Sequence, residues 1–373
     1  HPRAHFDRAC SHDHSLAWAP IPARRPAVMP TPLFALVRGA TTPALSSLSV
    51  DLADPAGGDL ITITGTNIGS AISCTVAGSP VTINANTSTS LTFTFPSGLA
   101  SGGYFVQVTT AAGSSNTLLI EAWAPTTDPA CTLLFDSKHT PYNPIAGTWS
   151  PRYSAVAGAT LAMNAGSSEN HAASGGAPVF DGNGAVEGGL KTSTATWAAL
   201  LGAVGLYFKG SLAVVSESSN TDALYVPANA YLNPASVTNA IDGTPGQSFG
   251  LLSGVSTAMA HIYNGTAFAG AYAPAAANVM RATVARWGAG GATTIDISLD
   301  GDLSGAGYNS QPSAEGAHST YASSPVYVGT TYPGGVANQT FIGAVPAFAV
   351  LNDKASDAFI TKFNKWRQAR GWT

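Results

Sequence analysis

Leu60-Ile-Thr-Ile-Thr-Gly-Thr-Asn67 alternates apolar and polar side chains and then runs into a turn sequence. Because successive side chains of a β-strand point to opposite faces, this alternation predicts a strand with one buried and one solvated face. Glycine and asparagine tolerate the positive φ of a tight turn, so Gly65–Asn67 is predicted to end the strand. Ser90–Phe95 and Tyr104–Thr109 repeat the alternation. Several such strands within about 80 residues predict a small β-sandwich.

The order of motifs in residues 42–122 resembles the IPT/TIG domain family. The motifs are Gly57-Gly58, Ile61–Ile68, Phe93–Pro96 and Gly103–Val108. The resemblance implies an immunoglobulin-like fold that acts as a spacer or contact module on an extracellular protein, without catalytic residues.

The segments on either side of this domain are rich in proline. Residues 1–41 contain six prolines and show no steady apolar period, which predicts an extended arm. The arm is expected to lie against another subunit. Residues 123–130 contain Pro125 and Pro129 and are predicted to form a stiff linker.

Residues 131–373 hold a long series of strand patterns separated by glycine-rich turns, without an amphipathic helix between them. This arrangement excludes a parallel α/β sheet and predicts one large jelly-roll sandwich. The segment resembles the concanavalin A-like, laminin-G-like lectin/glucanase superfamily. The resemblance is carried by Pro178–Gly182, Val279–Trp287 with Thr294–Asp302, Phe341–Leu351 and the tail Trp366-Arg-x-x-Arg-Gly-Trp372. It implies a lectin-like domain, so the predicted fold is all-β, with an Ig-like sandwich and a larger concanavalin A-like sandwich.

A single C-terminal helix is predicted over residues 353–370. Phe359, Phe363 and Trp366 recur at helical spacing and form an apolar stripe that is expected to dock on the larger sandwich, not on the Ig-like domain. Asn352 or Asp353 is a suitable N-cap, and Gly371 suits a left-handed C-terminal stop.

Charge is scarce and unevenly placed. Charged residues make up 10% of the chain, against about 25% in an average domain, and the net charge is −4. Residues 41–122 contain four acidic residues and neither lysine nor arginine; the acidic residues are Asp51, Asp54, Asp59 and Glu121. No basic stripe is present, so we expect no nucleic-acid partner. No apolar run approaches the ~20 residues of a membrane span, so we expect no membrane insertion.

The chain has three cysteines, Cys10, Cys74 and Cys131. Their odd number allows at most one bridge within the chain. We expect buried free thiols, with a Cys74–Cys131 bridge as the alternative.

Motifs for catalysis are missing from the sequence. The larger domain has no Glu-x-Asp-x-x-Glu run of the kind that lectin-like glucanases carry, and the chain has no Gly-x-Ser-x-Gly elbow. Asp300-Gly301-Asp302 has two readings: Asp-Gly favours a tight turn, whereas Asp300 and Asp302 together could supply two oxygen ligands to Ca²⁺. We expect the turn, no cofactor and no enzymatic activity.

Aromatic residues in loop-like places are the candidates for stacking on a sugar. They are Tyr142, Trp149, Tyr153, Tyr308, Tyr321 and Tyr332. The expected partners are other virion subunits or a second copy of the chain, together with a host surface glycan.

The predicted function is that of a non-enzymatic surface protein of a bacteriophage or phage-like particle, located on the virion or outside the cell. Two alternatives stay open. One is a secreted polysaccharide-active enzyme with an accessory Ig-like module, and the other is a bacterial adhesin.

Overall fold

Two β-sandwiches follow one another in the computed structural model. The structure describes residues 41–163, 172–181, 189–204, 207–218, 225–231, 248–253, 257–263, 268–288, 294–312, 325–329 and 341–372. The predicted arm lies outside these residues except for its last position, and so does Cys10. The described chain is predominantly β-sheet, with α1 (Trp197–Leu200), α2 (Asp357–Ala369) and a 3₁₀ turn (Pro125–Thr127). The predicted all-β class is therefore confirmed.

The first sandwich consists of two sheets over residues 44–122. Its strands are β1 (Ala44–Leu48), β2 (Leu52–Ala53), β3 (Leu60–Thr66), β4 (Ala71–Val76), β5 (Ser79–Pro80), β6 (Ile83–Asn86), β7 (Ser90–Thr94), β8 (Gly102–Thr110), β9 (Gly113–Ser114) and β10 (Leu118–Ala122). One sheet has the order β1-β3-β7-β6, and the other has the order β2-β10-β8-β4-β5 with β9 paired to β8.

Alternation in the sequence determines which side chains fill this first core. In β3, Ile61 and Ile63 are fully buried and face Leu91 and Phe93 of β7 across the ladder. Asn67 takes the positive φ of the turn, as expected (φ 60°). Gly65 is required for a different reason, because a Cβ there would lie 2.3 Å from the backbone oxygen of β1.

The second sandwich begins at Cys131. Its strands are β11 (Cys131–Asp136), β12 (Thr148–Trp149), β13 (Tyr153–Ser154), β14 (Leu161–Met163), β15 (Ala172–Ser174), β16 (Ala177–Asp181), β17 (Leu190–Thr196), β18 (Gly202–Val204), β19 (Tyr207–Ser218), β20 (Tyr225–Tyr231), β21 (Ser248–Ser253), β22 (Thr257–Tyr263), β23 (Phe268–Pro274), β24 (Met280–Trp287), β25 (Thr294–Leu299), β26 (Tyr308–Pro312), β27 (Pro325–Val328) and β28 (Ile342–Leu351). The larger sheet has the order β13-β11-β28-β19-β24-β25-β26, with β15, β16 and β18 attached, and we call it the first sheet. The other, which we call the second sheet, has the order β12-β14-β17-β27-β20-β21-β22-β23.

The main core lies between these two sheets. Trp149, Phe135 and Phe348 are fully buried there, with the rings of Phe135 and Trp149 4.9 Å apart. The other face of the first sheet carries alanine and valine from β19, β24 and β28, and these small side chains leave room for helix α2. Because the helix covers this face, the first sheet is buried on both sides.

Helix α2 begins later than the sequence pattern predicts. The segment before it is tied to the first sheet, because the carboxylate of Asp353 binds Lys209 (2.8 Å) and the amide of Ala355 donates to the hydroxyl of Ser211 (2.8 Å). These contacts keep residues 353–355 out of the helix. Ser356 is the N-cap and accepts from the amide of Phe359 at 3.1 Å, so neither Asn352 nor Asp353 serves. The predicted left-handed stop at Gly371 is confirmed (φ 67°).

The apolar stripe of α2 is buried as predicted. Phe359, Phe363 and Trp366 are at most 2% exposed and pack with Ala213, Val215, Ala282 and Val284 of the first sheet. The expectation that the stripe avoids the Ig-like domain is wrong, since Leu52 of β2 belongs to the same cluster; Trp123 of the linker belongs to it as well. The described helices include none that is long and apolar enough to cross a bilayer.

Truncation of this stripe should destabilise the protein strongly. We expect Phe363→Ala to lower the free energy of unfolding by about 3–5 kcal/mol, because it removes a fully buried ring and leaves a cavity. Thr361→Ala, on the exposed side of the same helix, is the control and should change it by about 0.5 kcal/mol or less. Urea unfolding followed by tryptophan fluorescence measures both values. Equal effects of the two variants would show that the stripe is not part of a core.

Candidate functional site at the domain junction

All four charged side chains of the first sandwich bind basic residues of the second domain. Residues 41–122 are all described, so this set is complete. The pairs are Asp51 with Lys365 (2.7 Å), Asp54 with Arg152 (2.5 Å), Asp59 with Arg370 (3.2 Å) and Glu121 with Lys362 (2.5 Å). The acidic surplus of one domain is therefore neutralised by α2 and the loop before β13 of the other.

A short loop between β2 and β3 brings Asp54 and Asp59 together. The amide of Asp54 donates to the Asp59 carboxylate at 2.7 Å, and the Asp54 carboxylate accepts from the amide of Ala56. Gly57 has a positive φ of 79°, and a Cβ there would lie 2.6 Å from the backbone nitrogen of Ser97. Only glycine satisfies both conditions, so Gly57 allows the loop to close and to present both carboxylates on one side.

Three aspartates and two arginines form a closed ring across the junction. Arg152 binds Asp54 with both terminal nitrogens (2.5 and 2.7 Å) and reaches Asp136 at 2.9 Å. One terminal nitrogen of Arg370 contacts both carboxylate oxygens of Asp136 at 3.0 and 3.1 Å, and the other reaches Asp59. Asp59 completes the ring through the amide of Asp54. We call these five residues the junction ring.

The charged side chains of the junction ring are buried, so each depends on its partners in the ring for stabilisation. The side chains of the three aspartates are at most 1% exposed, and those of Arg152 and Arg370 are 9% and 4% exposed. Trp366 adds a neutral donor, with its indole nitrogen 2.6 Å from Asp54. A buried charge is tolerated only when it is paired and hydrogen-bonded. Every carboxylate of the ring is paired with an arginine, and both arginines bind through their terminal nitrogens, although the Nε of Arg370 has no partner among the described residues.

The two aspartates of the Ig-like domain have opposite pKa shifts. Burial raises the pKa of Asp59 to about 6, because its single contact with Arg370 is long and Asp54 repels its charge. Burial also acts to raise the pKa of Asp54, but hydrogen bonds from Arg152 and Trp366 outweigh it and hold that pKa below its usual value. The ring therefore contains one weakly stabilised carboxylate, Asp59.

The converging carboxylates do not form an open catalytic site. A glycosidase needs two carboxyl groups that face a substrate across a groove. Asp54, Asp59 and Asp136 are no more than 2% exposed and are occupied by arginines, so the junction ring has the properties of a structural joint. A groove of about 350 Å³ lies beside it, lined by Leu52 and Leu303 with the more exposed pairs Asp51–Lys365 and Glu121–Lys362 at its rim.

The predicted linker is part of this joint. Trp123 and Ala124 are buried, and the ring of Trp123 packs edge-on against Phe359 at 5.6 Å. The 3₁₀ turn Pro125–Thr127 then leads into β11. Pro125 is buried in this joint, whereas Pro129 is exposed.

The predicted sugar-stacking residues are scattered. Tyr142 and Trp149 are core residues at 3% and 0% exposure, and the indole of Trp149 donates to the carbonyl of Thr140 at 2.7 Å. Tyr153 is 40% exposed on β13. Tyr308 is partly buried on β26, with its ring 6.0 Å from the guanidinium of Arg286. Tyr321 and Tyr332 lie outside the described residues.

The Asp-Gly motif forms the predicted turn. Asp300 and Gly301 both have positive φ, and the amide of Asp302 donates to the carbonyl of Leu299 at 3.0 Å. Asp300 pairs with Arg281 at 2.7 Å, whereas Asp302 accepts the amides of residues 304, 305 and 307. The calcium reading of Asp300 and Asp302 is not supported, since their oxygens have these partners. The described residues contain no group of three or more His, Cys, Asp or Glu side chains that could hold a metal ion.

One feature of the second domain was not predicted from the sequence. Tyr272 is 43% exposed on β23, flanked by Ala271 and Ala273, which are both buried in the core. The expected buried free thiols are confirmed for Cys74 and Cys131, which lie in separate cores, and burial raises the pKa of both to about 12. The Ala-Tyr-Ala alternation was the available signal for Tyr272.

Together these observations define a protein of two β-sandwiches that are joined by a buried ring of ion pairs. Residues 43–121 match the IPT/TIG domain family, so the predicted IPT/TIG domain is confirmed. A search of curated protein sequences gave no match.

Comparison with solved structures gives only distant similarities. The carbohydrate-binding domain CBM40 of Ruminococcus gnavus IT-sialidase, bound to alpha2,3 sialyllactose, is 17% identical with a TM-score of 0.33, covering 43% of this chain and 84% of that one. The leech intramolecular trans-sialidase is 13% identical with a TM-score of 0.34, covering 47% of this chain and 26% of that one. The K499G mutant of NanB sialidase from Streptococcus pneumoniae is 10% identical with a TM-score of 0.34, covering 50% and 27%. TM-scores this low do not assign the second sandwich to a family.

Removal of one arginine should break the junction ring. We expect Arg152→Met to lower the free energy of unfolding by about 3–5 kcal/mol, because Asp54 then remains buried without its arginine and Asp136 loses one of its two arginines. Lys365→Ala removes the exposed pair with Asp51 and should cost about 0–1 kcal/mol. Urea unfolding of both variants tests the difference. A cost for Arg152→Met no larger than that for Lys365→Ala would contradict the structural role of the ring.

Asp59 should give the junction a measurable pH dependence. Its pKa is about 6 when folded and near 3.8 when unfolded, so between these values the folded state binds more protons. Its contribution to stability is therefore complete below about pH 4 and is lost as the pH rises through about 6. Asp54 behaves oppositely, since its lowered pKa makes its contribution present above about pH 4 and lost in stronger acid.

The test compares wild type with Asp59→Asn, which cannot ionise. The difference in unfolding free energy, wild type minus variant, should fall by on the order of 2 kcal/mol between pH 4 and pH 6.5. Urea unfolding of wild type and variant across this range measures it. A constant difference for Asp59→Asn would disprove the raised pKa.

Proposed function

We propose that this chain is a non-enzymatic glycan-binding protein of an extracellular or virion surface, in which the TIG domain holds the larger sandwich in a fixed orientation. The observation that carries the proposal is the junction ring. A ring with two guanidiniums shared among three buried carboxylates has one satisfied arrangement, so rotation of one domain against the other would expose or unpair charges. A fixed mount of this kind suits a module that presents a binding surface away from its support.

The position of the TIG domain decides which surface can meet a ligand. One face of the first sheet is covered by α2 together with Leu52 and Trp123. Tyr272 belongs to the second sheet and lies on its outer face, because its neighbours Ala271 and Ala273 point into the core. Its half-exposed ring offers an apolar face with a hydroxyl at its tip, which suits stacking on a sugar ring.

A glycan array probed with the full chain tests the ligand class. We expect binding to a defined set of glycans, and we expect Tyr272→Ala to weaken it about tenfold or more, the loss of roughly 1.5 kcal/mol of stacking. Tyr153→Ala is the matched control, because Tyr153 has nearly the same exposure (40%) on a strand of the other sheet. Absence of binding to any glycan, or release of shorter sugars from a bound polysaccharide, would overturn the proposal.

The proposed location on a bacteriophage or phage-like particle rests on analogy at the level of the fold, since both domain types are common on such surfaces. Mass spectrometry and immunogold imaging of purified particles test it. Detection of the protein on the particle surface supports this location, and its absence there limits the proposal to a secreted or cell-surface protein.

A further inference from the structure

The TIG domain has an outer face without net charge, and this face is formed by β10, β8 and β4. Val106 and Val108 of β8 are buried in the core, so Phe105, Gln107 and Thr109 point outward. Phe105 is 63% exposed and lies directly opposite Leu119 of β10, which is 59% exposed. Ile72, in the bulge of β4, is a further exposed apolar side chain of this sheet, at 70% exposure.

The polar groups on this face are already paired with one another. The amide of Gln107 donates to the carbonyl of Ser115 at 2.9 Å, and the hydroxyls of Thr109 and Ser114 lie 3.1 Å apart. A polar group that keeps its hydrogen bond loses little when water is removed from it. The face can therefore be covered by another surface without leaving these groups unsatisfied.

The edges of this sheet do not favour strand addition. At one end of the strand order, β5 contains Pro80, which has no amide hydrogen to donate. At the other end, β2 packs against α2 through Leu52. Association through this sheet is therefore expected to occur face to face and not edge to edge.

We propose that this outer face binds the same face of a second copy of the chain, with Phe105 and Leu119 at its centre. Close to the axis of a two-fold contact a residue meets its own copy, so a charge at the centre meets the same charge and is repelled. The TIG domain avoids this repulsion, because its four carboxylates are bound to the second domain and the rest of residues 41–122 carry no charge. Glu121 is the carboxylate nearest to Leu119, and Lys362 neutralises it.

The area of this outer face determines how tightly two copies of the chain are expected to bind. The strands β8, β10 and β4 have nine, five and six residues, and at a spacing of about 4.8 Å and a rise of about 3.3 Å per residue they give on the order of 300 Å² of flat surface. This area is smaller than the roughly 800 Å² per partner of a standard interface, so the contact is a weak, reversible dimer. Such a dimer gains strength when several copies are held on one particle or cell surface.

Sedimentation velocity of the full chain from about 5 to 300 µM tests the proposal over the range where weak dimers form. Wild type should shift towards the dimer as the concentration rises. Leu119→Glu should remain monomeric because two glutamates would face each other, whereas Leu60→Glu should behave as wild type. Leu60 is the matched control: it has the same exposure, 59%, but lies on β3 of the other TIG sheet. Circular dichroism should show both variants folded.

The two charge variants of position 119 sharpen the test. An equimolar mixture of Leu119→Glu and Leu119→Lys should recover association that neither shows alone, because opposite charges then meet across the contact. Three results would overturn the proposal: a wild type that stays monomeric at all concentrations, equal disruption by Leu60→Glu, and a mixture that stays monomeric. The glycan array does not depend on this contact, so either proposal can fail without the other.

Discussion

Arg152 binds Asp54 of the TIG domain and Asp136 of the larger sandwich at the same time, and the arrangement of the two domains depends on this contact. Ion pairs of this kind add little net stability, because removal of water from the charges costs nearly as much as their attraction returns. Their effect is on geometry. Arg370 likewise joins Asp136 to Asp59. The three carboxylates of the junction ring therefore all have partners in this relative position of the two domains, and a rotation of one domain would separate them from those partners.

The strands and the helical stripe could be predicted from the sequence because they rest on local periodicity. Ile61 and Ile63 alternate with threonine, and Phe359, Phe363 and Trp366 follow a helical period; all five side chains are buried. The start of the helix could not be predicted, since the hydroxyl and backbone groups around Ser211 hold residues 353–355 from a strand far away in the chain. Trp149 also seemed to belong to a loop, because a two-residue strand has no visible period.

The junction ring combines residues from three distant parts of the chain, so neither motif nor spacing reveals it. A compositional signal was nevertheless present. The TIG segment has four acidic residues and no basic ones, whereas residues 362–370 contain four basic residues and no acidic ones. Taken separately, the basic residues fit the negative end of the helix dipole, which explains why the charge complementarity between the two segments is easily missed. For the exposed position of Tyr272 the only signal was the short Ala-Tyr-Ala alternation, since burial is decided by the second sheet as a whole.

The close fit at Gly57 and the sharing of every TIG carboxylate have a consequence for evolution. Ig-like modules are commonly exchanged between genes as independent domains. Such exchange requires a domain surface that tolerates a different adjacent domain. This TIG domain would take Asp54 and Asp59 to a host without their arginines, and the abandoned sandwich would retain Arg152 and Arg370 around a single aspartate. Recombination between the two domains would thus leave unpaired charges on each of them. We therefore expect the two domains to be inherited together.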